Sequence, residues 1–150
     1  MDEVGVEKMV ISTREIEVRY AETDQMGVVY HANYLVWMEL GRTSLIQDLG
    51  FKYAELEADG VVSPVIDLQI AYKKPLRYGE TATIKTWIGE YDGFRSVYEY
   101  EITTPTGEIA ASAKSTHVCV KKDSFRPIPF RKVYPKWHEA YVNAMKKGEE

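Results

Sequence analysis

A single cysteine, Cys119, excludes an internal disulfide and any metal site made of several thiolates. The chain also lacks a G-x-S-x-G elbow, a G-x-x-x-x-G-K-S/T phosphate loop and an H-E-x-x-H pair, so three large hydrolase classes are without their signatures. With no Cys/His ligand spacing, neither a metal nor another cofactor is expected. No apolar run nears the ~18 residues of a membrane span. The opening MDEVGVEKMV has neither the basic nor the apolar region of a signal peptide, and a cytoplasmic location is the expectation. Positive charge is not in excess: a net charge of -4 and a pI near 5.5 argue against a nucleic-acid backbone as partner.

What is present is an ordinary globular composition, 45% hydrophobic and 28% charged over 150 residues. No repeat, low-complexity tract or linker divides it, so one domain over residues 1–150 is expected. Charge is uneven along the chain. Residues 121–150 carry Lys121, Lys122, Arg126, Arg131, Lys132, Lys136, Lys146 and Lys147 against only Asp123, Glu139, Glu149 and Glu150, a basic stretch suited to a phosphorylated small ligand.

Residues 13–20 alternate Ile16, Val18 and Tyr20 with Glu15, Glu17 and Arg19, which predicts a half-buried strand. After a polar loop, Asn33 reads as an N-cap and Gly50 as the residue beyond a helix end, giving a buried helix of roughly 24 Å at ~1.5 Å per residue. Its apolar stripe is Leu35, Met38, Leu45, Ile46 and Leu49, with Tyr34, Val36 and Trp37 spreading round the first turns. Four further strands are expected at 61–74, 81–91, 94–104 and 108–122, the last three joined by turns at Tyr91–Phe94 and Pro105–Glu108. A short polar helix over 131–146 would close the chain. The order βαββββ is an α+β pattern.

The segment RYAETDQMGVVYHANYLVWMELGRTSLIQDLG carries Tyr20, Asp24, Gly27-Val28-Val29, Tyr30-His31 and Asn33 ahead of the long helix. It resembles the opening segment of the 4-hydroxybenzoyl-CoA thioesterase family, including its Tol-Pal-associated short-chain acyl-CoA thioesterase branch. Weaker similarity continues through AYKKPLRYGETATI and STHVCVKKDSFRPIPF. The resemblance implies a hotdog fold, a five-stranded antiparallel sheet wrapped round a central helix. It also implies CoA thioesters as substrates, and homodimers or homotetramers with active sites at subunit interfaces.

Thioester hydrolysis needs a nucleophile or activated water, and donors for the charge that develops on the carbonyl oxygen. Asp24 is the candidate for the first, attacking the thioester or serving as general base. The second falls to N–H groups near His31 to Leu35 at the helix start. The spacing alone equally allows Asp24 an Asx turn, and the resemblance favours catalysis. His31 could orient water or move a proton, Tyr20 could lend a hydroxyl, and Gly27 suits a positive-φ turn. Val29, Tyr30 and Asn33 are expected at the substrate, with Lys73, Arg77 and Arg126 among the cations for CoA phosphates. Glu39 reads as an i,i+3 partner of Arg42 and as the reserve carboxylate. His117 and Cys119 read as core or surface residues. A non-catalytic acyl-CoA binding or sensing module is the alternative, disfavoured by the presence of Asp24 with His31.

Overall fold

The computed structural model describes residues 9–145. Its centre is a five-stranded antiparallel sheet in the order β1 (Ser12–Glu17), β4 (Thr81–Tyr91), β5 (Arg95–Thr103), β6 (Ile109–Val118), β3 (Val65–Tyr72). Alternation in the sequence decides which face is covered. Ala82, Ile84, Thr86 and Ile88 of β4 and Tyr98, Tyr100 and Ile102 of β5 are buried, while Lys85 between them is exposed. Helix α1 (Asn33–Asp48) lies on that inner face, packed against β1, β4 and β5. This is the hotdog arrangement, and the chain adopts it.

Helix and sheet meet closely at Gly41. A Cβ there would strike the Thr86 hydroxyl and approach Ile84 Cγ2 at 3.0 Å, so only glycine lets the two backbones come this near. At the far end of α1, Gly50 N–H donates to Gln47 O (2.9 Å) and Phe51 N–H to Ile46 O (3.0 Å), the paired bonds of a Schellman stop.

Several expected boundaries move. Asn33 is the first helical residue, not the cap; Ala32 precedes it without a side-chain cap bond, because the Asn33 amide is drawn instead to Glu22 O at 2.9 Å. The buried face of α1 is Tyr34, Trp37, Met38, Gly41, Leu45 and Ile46, whereas Leu35 and Val36 are exposed. The expected strand 61–74 divides into β2 (Val61–Val62) and β3 at Ser63-Pro64, where proline supplies no N–H. The strand 108–122 likewise divides into β6 and β7 (Val120–Lys121), and β2 pairs with β7 away from the main sheet. A short helix α2 (Tyr53–Ala58) was not foreseen.

The closing helix is also in two pieces, α3 (Phe130–Val133) and α4 (Pro135–Ala144), with Pro135 starting the second where its missing N–H is harmless. It is less polar than expected: Trp137, Tyr141 and Ala144 are buried, and the Tyr98 and Tyr141 hydroxyls hydrogen-bond at 2.5 Å. Residue 146 lies outside the described residues. Two apolar clusters result. One joins the C-terminal half of α1 to α4. The other, formed by Val18, Val29, Tyr34, Trp37, Leu76 and Ile84 with their neighbours, supports the amino end of α1.

Candidate active site

The chain between β1 and α1 forms a miniature hairpin. Asp24 N–H donates to Val28 O (2.9 Å), Gly27 N–H to Asp24 O (2.9 Å), and Thr23 bridges Val29. Gln25, Met26 and Gly27 make the three-residue tip, and Gly27 takes the left-handed position at φ 82° that this turn requires. Met26 N–H donates to Asp24 Oδ1 at 2.8 Å, so the Asx turn exists and fixes the carboxylate by one oxygen. Oδ2 has no partner among the described residues. Buried Val29 anchors the returning arm, its N–H donating to Leu76 O at 2.8 Å.

A cleft of about 330 Å³ opens beside this hairpin, lined by Asp24, Met26, Val28, Val29, His31, Tyr34, Tyr72, Lys73, Lys74 and Pro75. It joins the carboxylate at position 24 to the start of α1 and to the end of edge strand β3. One wall is aromatic: the Tyr72 ring stands edge-on to Tyr34 (5.2 Å between centroids) and to His31 (6.3 Å). Tyr72 Oη donates to His31 O at 3.0 Å. Burial, with Tyr72 adding to it, pushes the Tyr34 hydroxyl up to about 12, so it remains a neutral hydrogen-bonding group at working pH. At the helix start the N–H groups of Asn33, Tyr34 and Leu35 already donate to the carbonyls of Tyr30, His31 and Ala32. Among the described residues nothing accepts from the N–H groups of His31 and Ala32, so the donors left at this helix end are two rather than five.

Of the residues singled out in the sequence, Asp24, His31, Val29 and Lys73 line this cleft. Gly27 shapes the hairpin, and Tyr30 flanks it with its ring 4.5 Å from that of His31. Asn33 faces Glu22 instead, its amide already engaged. Tyr20 departs from expectation: β1 ends at Glu17, and Tyr20 opens a 3-10 turn with 77% of its surface exposed, edge-on to Tyr78. The turn forms because the Glu22 carboxylate reaches back to Arg19 N–H. Tyr20 and Tyr78 border a separate hollow that meets Asp24 from the other side. Arg77 is exposed, its N–H donating to Glu80, and Arg126 sits against β7, its O accepting from Lys121 N–H; neither lines the cleft. Glu39 is exposed and makes no ion pair with Arg42, which turns inward to His117 (3.4 Å) and over the Tyr98 ring.

Residues 18–138 match the model of the Thioesterase-like superfamily. The chain belongs to that superfamily. It is therefore a thioester hydrolase. Its curated relatives include YneP of Bacillus subtilis, whose name gives acyl-CoA thioesterase as a provisional activity; identity is 63%, over 92% of this chain and 100% of that protein. The acyl-CoA thioester hydrolase YbgC of Escherichia coli is 30% identical over 75% of this chain and 84% of its own. Among solved structures, DHNA-CoA thioesterase from Staphylococcus aureus is 48% identical and superimposes with a TM-score of 0.87, covering 89% of this chain and 90% of that one.

In this thioesterase the sequence reading overlooked Tyr34, Tyr72 and Glu22. Tyr72 shares parity with Ile70, the half-buried position of β3 that packs on both apolar clusters, which marks its face in the sequence but not the rings it meets. Glu22 carried no local signal beyond sitting next to a loop, because what distinguishes it is burial at a junction of three segments. Burial alone would raise its pKa, but hydrogen bonds from Arg19 and Trp37 outweigh that and hold the carboxyl below the usual carboxylate range.

Proposed function

We propose that this enzyme hydrolyses aryl-CoA thioesters, as a cytoplasmic member of the 4-hydroxybenzoyl-CoA thioesterase family, with Asp24 at the reacting carbon. The observation that carries the reading is the cleft that unites the Asp24 carboxylate, the amino end of α1 and the tyrosine-rich wall. The thioester carbonyl carbon lies against Asp24 Oδ2, and its oxygen receives the N–H groups of His31 and Ala32, aided by the positive end of the helix dipole. Two routes use the same geometry. Asp24 attacks, forming a mixed anhydride and releasing CoA thiolate before water cleaves the anhydride; or Asp24 takes a proton from a water that attacks directly. Rapid-quench trapping of an acylated protein separates them.

Flat aryl groups suit a wall of edge-on aromatic rings. The match to DHNA-CoA thioesterase supports the same class, and a relative from Thermosynechococcus vestitus is named for 1,4-dihydroxy-2-naphthoyl-CoA. Lys73 and Lys74 at the rim meet CoA phosphates. The active form is a homodimer or homotetramer with the site at a subunit interface. Edge strand β3 exposes Val65, Ile66 and Leu68, an unpaired apolar edge that a second copy would cover.

Free-thiol release across aryl and aliphatic CoA thioesters tests the reading. The best aryl substrate is expected to exceed short aliphatic ones in kcat/KM by roughly tenfold or more, and Asp24→Asn to lower kcat by roughly 100- to 10,000-fold. Equal rates for folded Asp24→Asn and wild type would end the assignment. Tight acyl-CoA binding by calorimetry with no thiol released from any substrate would establish a binding or sensing module instead.

A further inference from the structure

Two residues before Asp24 stands a carboxylate that the proposed chemistry leaves unused. Glu22 is only 4% exposed, and a buried charge persists where it is paired and hydrogen-bonded. Three N–H donors converge on it. Arg19 N–H meets Oε1 at 2.9 Å, the Arg19 guanidinium meets Oε2 at 2.9 Å, and the Trp37 indole N–H meets Oε2 at 3.1 Å. Its backbone carbonyl accepts two more, from Tyr30 N–H at 2.8 Å and from the Asn33 amide at 2.9 Å.

These partners belong to different parts of the site. Arg19 lies where the chain leaves β1, and Tyr30 where the hairpin returns. Asn33 and Trp37 stand one turn apart on α1, and Trp37 is fully buried in the cluster that supports this helix end. The hairpin that presents Asp24 spans residues 23–29, so one residue ties both of its feet to the helix that supplies the oxyanion donors. Stability alone is a poor reason for this choice, because the Arg19 side chain is 72% exposed and an ion pair open to solvent at one end contributes little. What the polar junction adds is a fixed register between hairpin and helix.

We propose that Glu22 is a positioning residue for the reaction. It holds the Asp24 hairpin at a set height and angle over the amino end of α1, and so keeps the carboxylate and the His31 and Ala32 N–H groups in one productive arrangement. The inference rests on the reading of Asp24 given above and adds to it the group that aims it.

Glu22→Gln keeps the shape but offers a single acceptor oxygen and turns an NH2 towards a donor, so at least one of the three N–H groups loses its acceptor. The experiment is a double-mutant cycle with Asp24→Asn, read by thiol release from the best CoA thioester, with circular dichroism and thermal unfolding as folding controls. Glu22→Gln is expected to stay folded at the assay temperature and to lose roughly 10- to 100-fold in kcat, as small misplacements of a reacting group do. Its KM should remain within about threefold of wild type, because binding contacts are untouched. Added to Asp24→Asn, the change should slow the reaction no further.

A folded Glu22→Gln with wild-type kcat overturns the inference, as does an equal fold-loss in the Asp24→Asn background. If Glu22→Gln does not fold, Asn33→Ala takes its place, removing only the strut to the Glu22 carbonyl at a half-buried position. A smaller kcat loss of the same non-additive kind is expected there, and unchanged kcat is again fatal. Wild-type turnover by Asp24→Asn defeats the parent reading and this one together. Slow Asp24→Asn beside a fully active Glu22→Gln defeats this one alone.

Discussion

Acid should weaken this protein through the buried imidazole of His117. His117 is 1% exposed. Its Nε2 takes up the Ser115 hydroxyl at 2.9 Å and the Arg42 guanidinium at 3.4 Å, while Nδ1 faces Ser63 O at 3.3 Å. That set of partners fits a neutral ring with its proton on Nδ1. Burial first, and the Arg42 charge second, lower its pKa from 6.5 to about 4. The unfolded chain therefore binds a proton that the folded one refuses. Stability from this residue is intact above about pH 6.5, falls as pH drops towards 4, and changes no further once both states are protonated. At ~1.4 kcal/mol per pH unit the window holds roughly 3 kcal/mol. Urea unfolding at fixed protein concentration between pH 7 and pH 4 measures it. His117→Gln, which keeps an acceptor for Arg42 and a donor for Ser63, should flatten the decline. Parallel stability curves for the two proteins across that window would refute the argument.

Gly41→Ala should destabilise, because overpacking against Thr86 and Ile84 costs ~1–3 kcal/mol while helix propensity returns only ~1 kcal/mol. Among the described residues the Thr86 hydroxyl has no hydrogen-bond partner, so in a Thr86→Ala background the same change should become neutral or stabilising; chemical denaturation reads both, and an equal loss in the two backgrounds would contradict the packing account. Ile66→Lys, on the exposed part of edge strand β3, should shift the protein towards monomer in sedimentation velocity and depress thiol release together. An unchanged oligomer with full activity would move the interface elsewhere.

Much of this molecule could be read in the chain because local chemistry and tertiary packing agree. The meander β4–β5–β6 follows from alternation, interrupted by register shifts at Ile88/Glu90 and Ile102/Thr103, and from two turn sequences, and the stop of α1 from Gly50. Boundaries failed where a side chain found a distant partner. Asn33 looks like a helix cap in sequence, but its amide crosses to Glu22 O. Tyr20 continues an alternating pattern on paper, yet the Glu22 carboxylate pulls the chain into a turn that leaves the ring in solvent. In sequence Arg42 is spaced to pair with Glu39, yet in the fold it turns to a buried imidazole and a tyrosine face contributed by strands far along the chain. Asp24 and His31, singled out by motif and spacing, line the same cleft. Tyr72 and Glu22 depend on which strand edge and which helix turn the loop is folded against, and no window of sequence contains that.

The most direct test is a crystal structure of the wild-type enzyme with an aryl-CoA thioether analogue that keeps a carbonyl but cannot be hydrolysed. The account predicts that carbonyl carbon within ~3.5 Å of Asp24 Oδ2, with its oxygen held by the N–H groups of His31 and Ala32. An ordered analogue whose carbonyl lies away from Asp24 in every subunit would contradict it.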